Sequence, residues 1–398
     1  MSNIIIYHHN LFDKVTGSSE KLLLNIAIIL NNTNNFNIWC LYNKNINSFV
    51  PKNIHNSKNI YLYEYECDKL ISKPPWKPIN LRPTLKQICN EIQPSLFICL
   101  VIDNYQWPIN YLSKNIPLLL ISPFGNFCSN GNLRKIYVSG QSNLNIIKKS
   151  GIKNAETFFN PLKIPDLKIS NHQKDVIYLG RLGRKDSFIF DPISIQAFRK
   201  IEDEFGDKVK FIYVNPCQEA LDLVKSLNIK NIIFKEWLND SEVREFYKTI
   251  DIFAHSRRDG ETLGVAIGEA MLHECVIVTH ISAFFNEHLF LVKEPFGLIS
   301  KLNNYNHYYE NLKTFIIQKD KLAKFGLAAR NHALNYFDWD LVSKKIIYDC
   351  EELVKYKNKP LPFKTQLIHK SLQKKLFFKK TLTKFKKKVF YYTHEIKK

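Results

Sequence analysis

The sequence predicts an α/β protein of two doubly wound domains that face each other across a cleft. Short apolar runs alternate with helical patterns in both halves of the chain, and several runs are apolar at consecutive positions, as in parallel strands covered on both faces. A polar, proline-bearing stretch at Asn160–Lys174 separates the two series. Ligands of such domains bind at the carboxyl ends of the strands, so we expect functional residues in the loops that follow them.

The predicted strands are short runs rich in β-branched, aromatic and leucine residues, bounded by polar or turn residues. In the first series they are Ile4–Tyr7, Ile38–Tyr42, Ile60–Tyr63, Leu96–Ile102 and Leu118–Ser122. In the second series they are Val176–Leu179, Val209–Val214, Ile232–Phe234, Ile252–Ala254 and Cys275–Val278. The segment Ser72–Pro83 contains four prolines, which indicates a surface excursion rather than a regular element.

The predicted helices are segments between strands whose apolar residues recur at helical spacing. They are Lys21 to about Leu30, Pro192–Phe205, Gln218–Leu227, Asp240–Tyr247, Leu263–His273 and a final helix within Asn331–Tyr356. A chain of 398 residues is long enough for two separate cores. We place the two domains at residues 1–165 and 166–335, a terminal helix at 336–358 and a tail at 359–398.

The formal net charge of +20 is concentrated in the tail, where residues 364–398 contain twelve lysines and one acid and leave +9 for the rest of the chain. One stripe of a predicted tail helix consists of Phe378, Leu382, Phe385, Val389 and Tyr392, with lysines elsewhere around it. Such a basic amphipathic helix suits an anionic membrane surface. A helix docked on the protein is the alternative. Nucleic acid is not an expected partner, because no recognition motif accompanies the lysines.

The remaining composition predicts a cytoplasmic location, peripheral at the inner face of a membrane if the tail binds lipid. Eight cysteines without CxxC spacing argue against disulfides and against a metal site. The N-terminal sequence MSNIIIYHHN lacks the basic region and apolar run of a signal peptide. The longest apolar stretches fall short of the ~18 residues that span a bilayer.

The most informative segment is Asp251–Thr279, in which Glu261 and Glu269 bracket seven residues. Gly264 stands where the predicted loop becomes a helix, so backbone N–H groups can approach a ligand at the positive end of the helix dipole. Carboxylates are good acceptors for paired hydroxyl groups. An anionic phosphate with several hydroxyls describes a nucleotide sugar, which is the ligand that this pattern favours.

A basic loop follows the first strand of the second domain. Gly180, Arg181 and Lys185 belong to the sequence GRLGRK, which carries three cations at the carboxyl end of a strand. Arginine binds phosphate oxygens through two N–H groups and lysine as a point charge, so we predict that this loop binds a diphosphate. The alternative is an exposed basic turn.

Three segments in this order resemble the nucleotide-binding half of retaining glycosyltransferases of the GT-B fold. They are VIYLGRLGRKD (176–186), EWLNDSEVREFYKTIDIFAHS (236–256) and ETLGVAIGEAM (261–271). The likeness is to the large family numbered four, glycosyl transferases group 1, which carries the E-x7-E signature. It is weaker over the first half, where residues 135–161 look like that family's last N-domain strand, helix and link. The resemblance implies two facing Rossmann-like domains and a terminal helix, after FDWD, that returns to the first domain.

The resemblance also implies roles for single residues. Arg181 and Lys185 would hold the donor diphosphate, although Lys185 stands one position earlier than is usual in the family. Glu261 would contact the donor sugar. The residues expected to meet the nucleotide or its phosphates are Gly17, Leu263, Gly264 and Glu269, the last through both ribose hydroxyls. Trp237 lies where the base binds in the family, or else it is a core residue.

Three further positions carry open alternatives. Asp103 or Asn104 stands where family members present a histidine to the donor sugar, and this departure leaves the identity of the sugar open. His8 and His9 end the first strand, where they either reach the acceptor or are solvated. Asp338 and Asp340 form a D-x-D before a predicted helix, so we interpret them as N-terminal caps and predict no metal ion.

The predicted function is therefore that of a retaining, metal-independent glycosyltransferase of the hexosyl type. Its donor substrate would be a UDP- or GDP-linked sugar, with no separate cofactor. A glycan or lipid-linked acceptor is the expected second partner, in cell-surface glycan or glycolipid synthesis. Two alternatives stay open: a GT-B epimerase, and an inactive basic scaffold that binds membrane or nucleic acid through the tail.

Overall fold

In a computed structural model, the chain forms two units, Met1–Phe158 with Ser343–Lys398 (unit 1) and Phe159–Val342 (unit 2). The structure describes residues 1–8, 11–12, 18–44, 50–67, 81–100, 112–123, 132–149, 151–167, 175–362 and 364–371. Both units are α/β, so the predicted fold class is confirmed.

The sheet of unit 1 contains eight strands. They are β1 (Ser2–Tyr7), β2 (Phe36–Asn43), β3 (Ile60–Cys67), β4 (Leu81–Arg82), β5 (Leu96–Leu100), β6 (Pro117–Ser122), β7 (Asn132–Val138) and β8 (Ala155–Thr157). Their order is β4-β3-β2-β1-β5-β6-β7-β8, and only the pair β3–β4 is antiparallel among those described. Every residue of β5 and β6 is buried, which explains their uninterrupted apolar sequences.

The first chain segment of unit 1 is Met1–Phe158. Its described residues include the helices α1 (Ser18–Asn31), α2 (Lys52–His55), α3 (Leu85–Ile92) and α4 (Gln141–Lys149). A capping box begins α3, in which the Thr84 side chain accepts from the Gln87 amide and the Gln87 side chain accepts from the Thr84 amide. This exchange satisfies backbone donors that the first turn leaves open, so the helix starts at a defined residue.

The main sheet of unit 2 has six parallel strands. They are β9 (Ile177–Leu182), β10 (Val209–Val214), β11 (Ile232–Lys235), β12 (Ile252–Ala254), β14 (Val276–His280) and β16 (Gly297–Ser300). Two short strands, β13 (Gly260–Glu261) and β15 (Phe285–Asn286), form a separate parallel pair. The order β11-β10-β9-β12-β14-β16 reverses direction between β9 and β12, so this is a doubly wound sheet with its switch point there.

Helices cover both faces of this sheet. They are α5 (Ile193–Phe205), α6 (Gln218–Ser226), α7 (Asp240–Thr249), α8 (Val265–Leu272), α9 (Tyr305–Ile317) and α10 (Leu322–Phe337). The next helix, α11 (Trp339–Val354), continues into unit 1. One apolar core includes buried residues of α5, α6 and α9, and a second includes those of α7, α8 and α10. Apolar burial on both faces explains why the strands lack a polar side.

The final helix predicted after FDWD is α11, and a bend at Asp338 separates it from α10. The backbone of Asp338 leaves helical geometry (φ −54°, ψ 124°), and its Oδ1 accepts from the Leu341 amide at 2.8 Å. Asp338 is thus a cap of α11, as predicted, whereas Asp340 lies within the first turn of the helix and is not its cap. The first strand of unit 2 is also longer than predicted and continues to Leu182.

The end of the described chain packs on unit 1. Asp349 of α11 accepts from the Tyr137 hydroxyl and from Lys135 Nζ, the latter at 3.1 Å. Residues 364–371 are helical, and His369 in this segment is buried. The predicted amphipathic tail helix lies in residues 372–398, outside the described residues. In the described part of the chain, no helix combines the length and apolar character required to span a bilayer.

Candidate active site at the switch point of unit 2

The candidate site lies at the carboxyl ends of β9 and β12. The chain leaves β9 into a loop at residues 183–186 and leaves β12 into a longer loop at residues 255–264. These two strands are neighbours in the sheet. The strand that follows β9, β10, lies toward one edge of the sheet, whereas the main-sheet strand that follows β12, β14, lies toward the other edge. Adjacent loops that diverge in this way leave a crevice between them, which is where doubly wound domains bind ligands.

Arg181 is a buried cation at the end of β9, with 6% of its surface exposed. Its Nε donates to Ser256 Oγ at 3.3 Å, and its two terminal nitrogens donate to the backbone oxygens of Leu182 and Ser256. The Ser256 hydroxyl in turn contacts the Ser194 hydroxyl at 2.9 Å. Among the described residues Arg181 has no carboxylate partner, and three of its five N–H groups are used. The guanidinium is therefore held in place while retaining donors for an anion.

The start of α8 forms the opposite side of the candidate site. Gly264 has φ +61° and precedes the helix, which no side chain caps. A Cβ at this position would lie 3.2 Å from His288 Cβ and 3.0 Å from Leu291 Cδ1. Glycine is thus required by both conformation and space. The neighbouring Leu263 is buried, so its contribution to a ligand is the backbone amide at a helix N-terminus.

Glu261 is paired with an arginine that the sequence analysis did not single out. Arg257 Nη1 donates to Glu261 Oε1 at 3.3 Å, and Arg257 Nε donates to Asp259 Oδ1 at 2.6 Å. Burial by itself lowers the pKa of Arg257, but the charges of Glu261 and Asp259 outweigh it and raise that pKa. Only the run of charges in SRRDGE could have signalled this cluster.

Glu269 lies in the second turn of α8, where Tyr247 of α7 orients it. The Tyr247 hydroxyl lies 3.1 Å from Glu269 Oε2 and 3.1 Å from the Ala266 carbonyl. Burial, then the Glu269 charge, raises the pKa of Tyr247 well above its ordinary value, so the phenol stays a donor. The His273 ring stacks on Tyr247 with centroids 5.2 Å apart. His273 is buried.

The other predicted residues of unit 2 divide between exposed and packed positions. Lys185 is exposed and pairs with Glu236 at 3.0 Å. Trp237 follows Glu236 and is 70% exposed, so the alternative of a core tryptophan is wrong. Gly180 lies inside β9, where a Cβ would come within 2.5 Å of Ile250 Cδ1. Packing against Ile250 therefore accounts for Gly180 without a ligand.

Three predicted positions of unit 1 lie outside the described residues, namely Gly17, Asp103 and His9. His8 is described and fully buried at the end of β1, with Nδ1 3.7 Å from Glu20 Oε1. The alternative that His8 is solvated is therefore wrong. In the described ranges, no group of three or more His, Cys, Asp or Glu side chains is arranged to hold a metal ion.

Three buried histidines lie in or next to the loop that follows β12. They are His255, His280 and His288, and the rings of His255 and His288 have centroids 5.6 Å apart. Burial lowers the pKa of all three, that of His288 to about 4. Neutral imidazoles avoid adding positive charge next to Arg181 and Arg257, so the loop packs without further counter-ions.

The two doubly wound units and the position of the candidate site are typical of two-domain α/β enzymes, and the comparison with known families is more specific. The family described as glycosyl transferases group 1 matches residues 160–332. The match confirms that this part of the chain resembles group 1 glycosyltransferases. No curated protein matches the sequence significantly.

Solved structures show the same fold over most of the chain. HepE from Anabaena, in complex with UDP and glucose, is 15% identical, with a TM-score of 0.66 over 88% of this chain and 100% of HepE. Sucrose-phosphate synthase from Thermosynechococcus elongatus is 11% identical, with a TM-score of 0.68 over 89% of this chain and 100% of its own. A glycosyltransferase from Rickettsia africae is 12% identical, with a TM-score of 0.64 over 89% and 99% of the two chains. The fold is therefore GT-B, and the epimerase and scaffold alternatives gain no support.

Protonation of His288 is expected to destabilise the fold in acid. Its pKa is about 4 in the folded chain against an ordinary 6.5, so its contribution to stability is complete above pH 6.5 and is lost as the pH falls to about 4. At about 1.4 kcal/mol per pH unit, the loss is roughly 3 kcal/mol. Urea unfolding between pH 7 and 4 measures it. The His288→Gln variant should lose less stability over this range than wild type, whereas the exposed His55→Gln should match wild type. Equal pH slopes in all three proteins would contradict this assignment.

Proposed function

We propose that this chain is a retaining glycosyltransferase that moves a sugar from a nucleotide diphosphate sugar to an acceptor hydroxyl. The observation that carries the proposal is the buried guanidinium of Arg181, which has no carboxylate partner in the described part of the chain and lies at the switch point of unit 2. A buried cation without a counter-ion is costly unless an anion binds to it. The donor diphosphate is the anion that a group 1 glycosyltransferase domain would supply.

Departure of the nucleoside diphosphate is the step that needs the most charge stabilisation. The bond from the sugar to the diphosphate oxygen breaks, and negative charge develops on that oxygen. Arg181, with donors already oriented by Ser256, and the N-terminus of α8 would stabilise this charge at no cost of reorganisation. Lys185 is exposed, so it would leave Glu236 to bind the same phosphates.

The nucleoside would bind along α8. Glu269 is oriented by the Tyr247 hydroxyl and would accept from both ribose hydroxyls. Trp237 offers an exposed aromatic face to the base. UDP is favoured over GDP because several structures with this fold, among them HepE and TarM, were solved with UDP, and HepE also with UDP-glucose.

The donor sugar would lie between the diphosphate and Glu261, which would accept from its hydroxyls. In a retaining front-face reaction the acceptor oxygen attacks on the side that the diphosphate leaves, and a leaving phosphate oxygen takes the acceptor proton. This route needs neither a separate base nor a metal ion. Asp103 and Gly17 remain predicted contacts to the donor from unit 1.

The acceptor would be a glycan or a lipid-linked glycan, with the basic tail holding the protein at an anionic membrane surface. Two proteins of this fold support that class: TarM of S. aureus, solved with α-GlcNAc-glycerol, and WaaG, a glycosyltransferase of lipopolysaccharide biosynthesis. Within the tail, the lysines of residues 364–398 exceed the single acid by eleven charges. A cell-surface glycan made at the cytoplasmic face of a membrane fits both observations.

Replacing Arg181 by lysine is expected to abolish most turnover. Lysine keeps the charge but cannot bind Ser256 and two phosphate oxygens together, so we expect donor hydrolysis to fall by about 100-fold or more. Thermal shift with UDP and GDP selects the base, and release of that nucleotide from UDP-glucose, UDP-N-acetylglucosamine or GDP-mannose measures turnover, with and without EDTA. Arg199→Lys, on the surface of α5, is the control. Wild-type rates in Arg181→Lys, or dependence on a metal, would contradict the proposal.

Replacing Glu269 by glutamine is expected to weaken binding of the nucleotide through its ribose. The variant loses a charged acceptor for two hydroxyls, so affinity for UDP should fall by about 10- to 100-fold in calorimetry. The matched probe is 2′-deoxy-UDP, which lacks one of those hydroxyls and should bind the variant and wild type with more similar affinities. If both nucleotides lose affinity equally, Glu269 does not bind the ribose.

Removing residues 372–398 is expected to release the protein from anionic membranes. This deletion takes away ten lysines but keeps the packed helix at 364–371. Each lysine near an anionic surface contributes ~1 kcal/mol, so binding should weaken by far more than about 10-fold. Sedimentation with vesicles of phosphatidylcholine, with and without phosphatidylglycerol, measures it. Equal sedimentation of the shortened and full chains would show that the tail does not bind lipid.

A further inference from the structure

We propose that Arg257 is a positioning residue for the reaction, which acts by holding the Glu261 carboxylate toward the donor sugar. This inference rests on the proposed function, because it assigns a role at the same site. It concerns a residue outside the E-x7-E pattern and outside the basic loop after β9.

The Arg257 guanidinium bridges two carboxylates of its own loop. It contacts Asp259 through Nε at 2.6 Å and Nη2 at 3.4 Å, and Glu261 through Nη1 at 3.3 Å. The side chains of Arg257, Asp259 and Glu261 are 17%, 10% and 22% exposed, so solvent screens these pairs less than it screens surface ion pairs. The two-point contact with Asp259 fixes the plane of the guanidinium, and that plane then sets where Glu261 is held.

The backbone of Arg257 is anchored from the segment that follows β14. Its amide donates to His280 Nε2 at 3.2 Å, and its carbonyl accepts from Ser282 Oγ at 2.9 Å. His280 Nδ1 lies 3.0 Å from the Ile281 carbonyl, which assigns the proton to Nδ1 and leaves Nε2 as the acceptor. Burial lowers the pKa of His280, which keeps the ring neutral as this arrangement requires. Arg257 is thus fixed at its backbone and at its side chain.

Arg257 binds only one of the two carboxylate oxygens of Glu261. Oε1 is bound by Arg257, while Oε2 has no hydrogen-bond partner within the described residues. A carboxylate with one oxygen fixed and the other available can accept from a sugar hydroxyl in a single orientation. Arg257 also places one positive charge against two negative ones, which reduces the repulsion that a donor diphosphate would meet in this loop.

A double-mutant cycle tests whether Arg257 acts through Glu261. The variants are Arg257→Gln, Glu261→Gln and the double variant, assayed for hydrolysis of the nucleotide sugar that wild type hydrolyses fastest. Arg258→Gln is the matched control, because it removes the same charge from the next position and its side chain makes no hydrogen bond or ion pair with the described residues. Calorimetric affinity for UDP, or GDP if thermal shift selects it, checks that each variant keeps the nucleotide site.

We expect Arg257→Gln to lower kcat by about 100-fold, because the Glu261 carboxylate would no longer be held in position. The nucleotide affinity of this variant should stay within about threefold of that of Arg258→Gln. In the Glu261→Gln background the same change should cost less than about threefold, because the group that Arg257 positions is already absent. Arg257→Lys should recover part of kcat, since lysine restores the positive charge but cannot contact both carboxylates as the planar guanidinium does.

Independent, multiplying losses in the double variant would overturn the inference and show that Arg257 acts elsewhere. So would wild-type kcat in Arg257→Gln, or an equal loss in Arg258→Gln. A wild-type protein that neither binds a nucleoside diphosphate nor hydrolyses any donor of the panel would instead refute the proposed function, and this inference with it.

Discussion

The geometry of unit 2 depends on the reversal of strand order between β9 and β12. Because the chain continues from β9 toward one edge of the sheet and from β12 toward the other, their loops cannot close over each other. Arg181 is buried at the end of β9, beside these loops. Its charge is kept there by the hydroxyl and carbonyl of Ser256, neutral acceptors that orient a guanidinium without cancelling it. A carboxylate in place of Ser256 would have satisfied the cation and removed its attraction for phosphate.

Much of this unit was predictable from the sequence because its strands are buried on both faces. The run Val209–Val214 does not alternate regularly between apolar and polar residues, so its ends are easy to locate in the sequence. Its predicted and observed bounds coincide. That Glu269 lies on a helix beginning just after Gly264 also followed from the sequence, because the glycine marks the end of the polar loop. The exposure of Trp237 was not predictable, since an aromatic residue suits a core and a binding surface equally well.

The pairing of Arg257 with Glu261 could not be predicted, because it depends on a turn that another segment imposes. Gly260 has φ +78°, and a Cβ there would lie 1.7 Å from the Phe285 carbonyl oxygen. The approach of β15 thus bends the loop so that residues four apart meet without a helix. The burial of His273 likewise arises from its stacking on Tyr247, a residue of another helix. Local patterns contain no information on such contacts between distant segments.

The division of the chain has a consequence for its synthesis on the ribosome. Unit 2 is one continuous segment, whereas unit 1 is assembled from both ends of the chain. Until α11 has left the ribosome, the side chains of Tyr137 and Lys135 on β7 cannot form their hydrogen bonds with Asp349. The inserted unit can therefore mature before the unit that encloses it in sequence, which inverts the usual N-terminal-first order. A nascent chain paused before residue 343 would offer that incomplete sheet to chaperones.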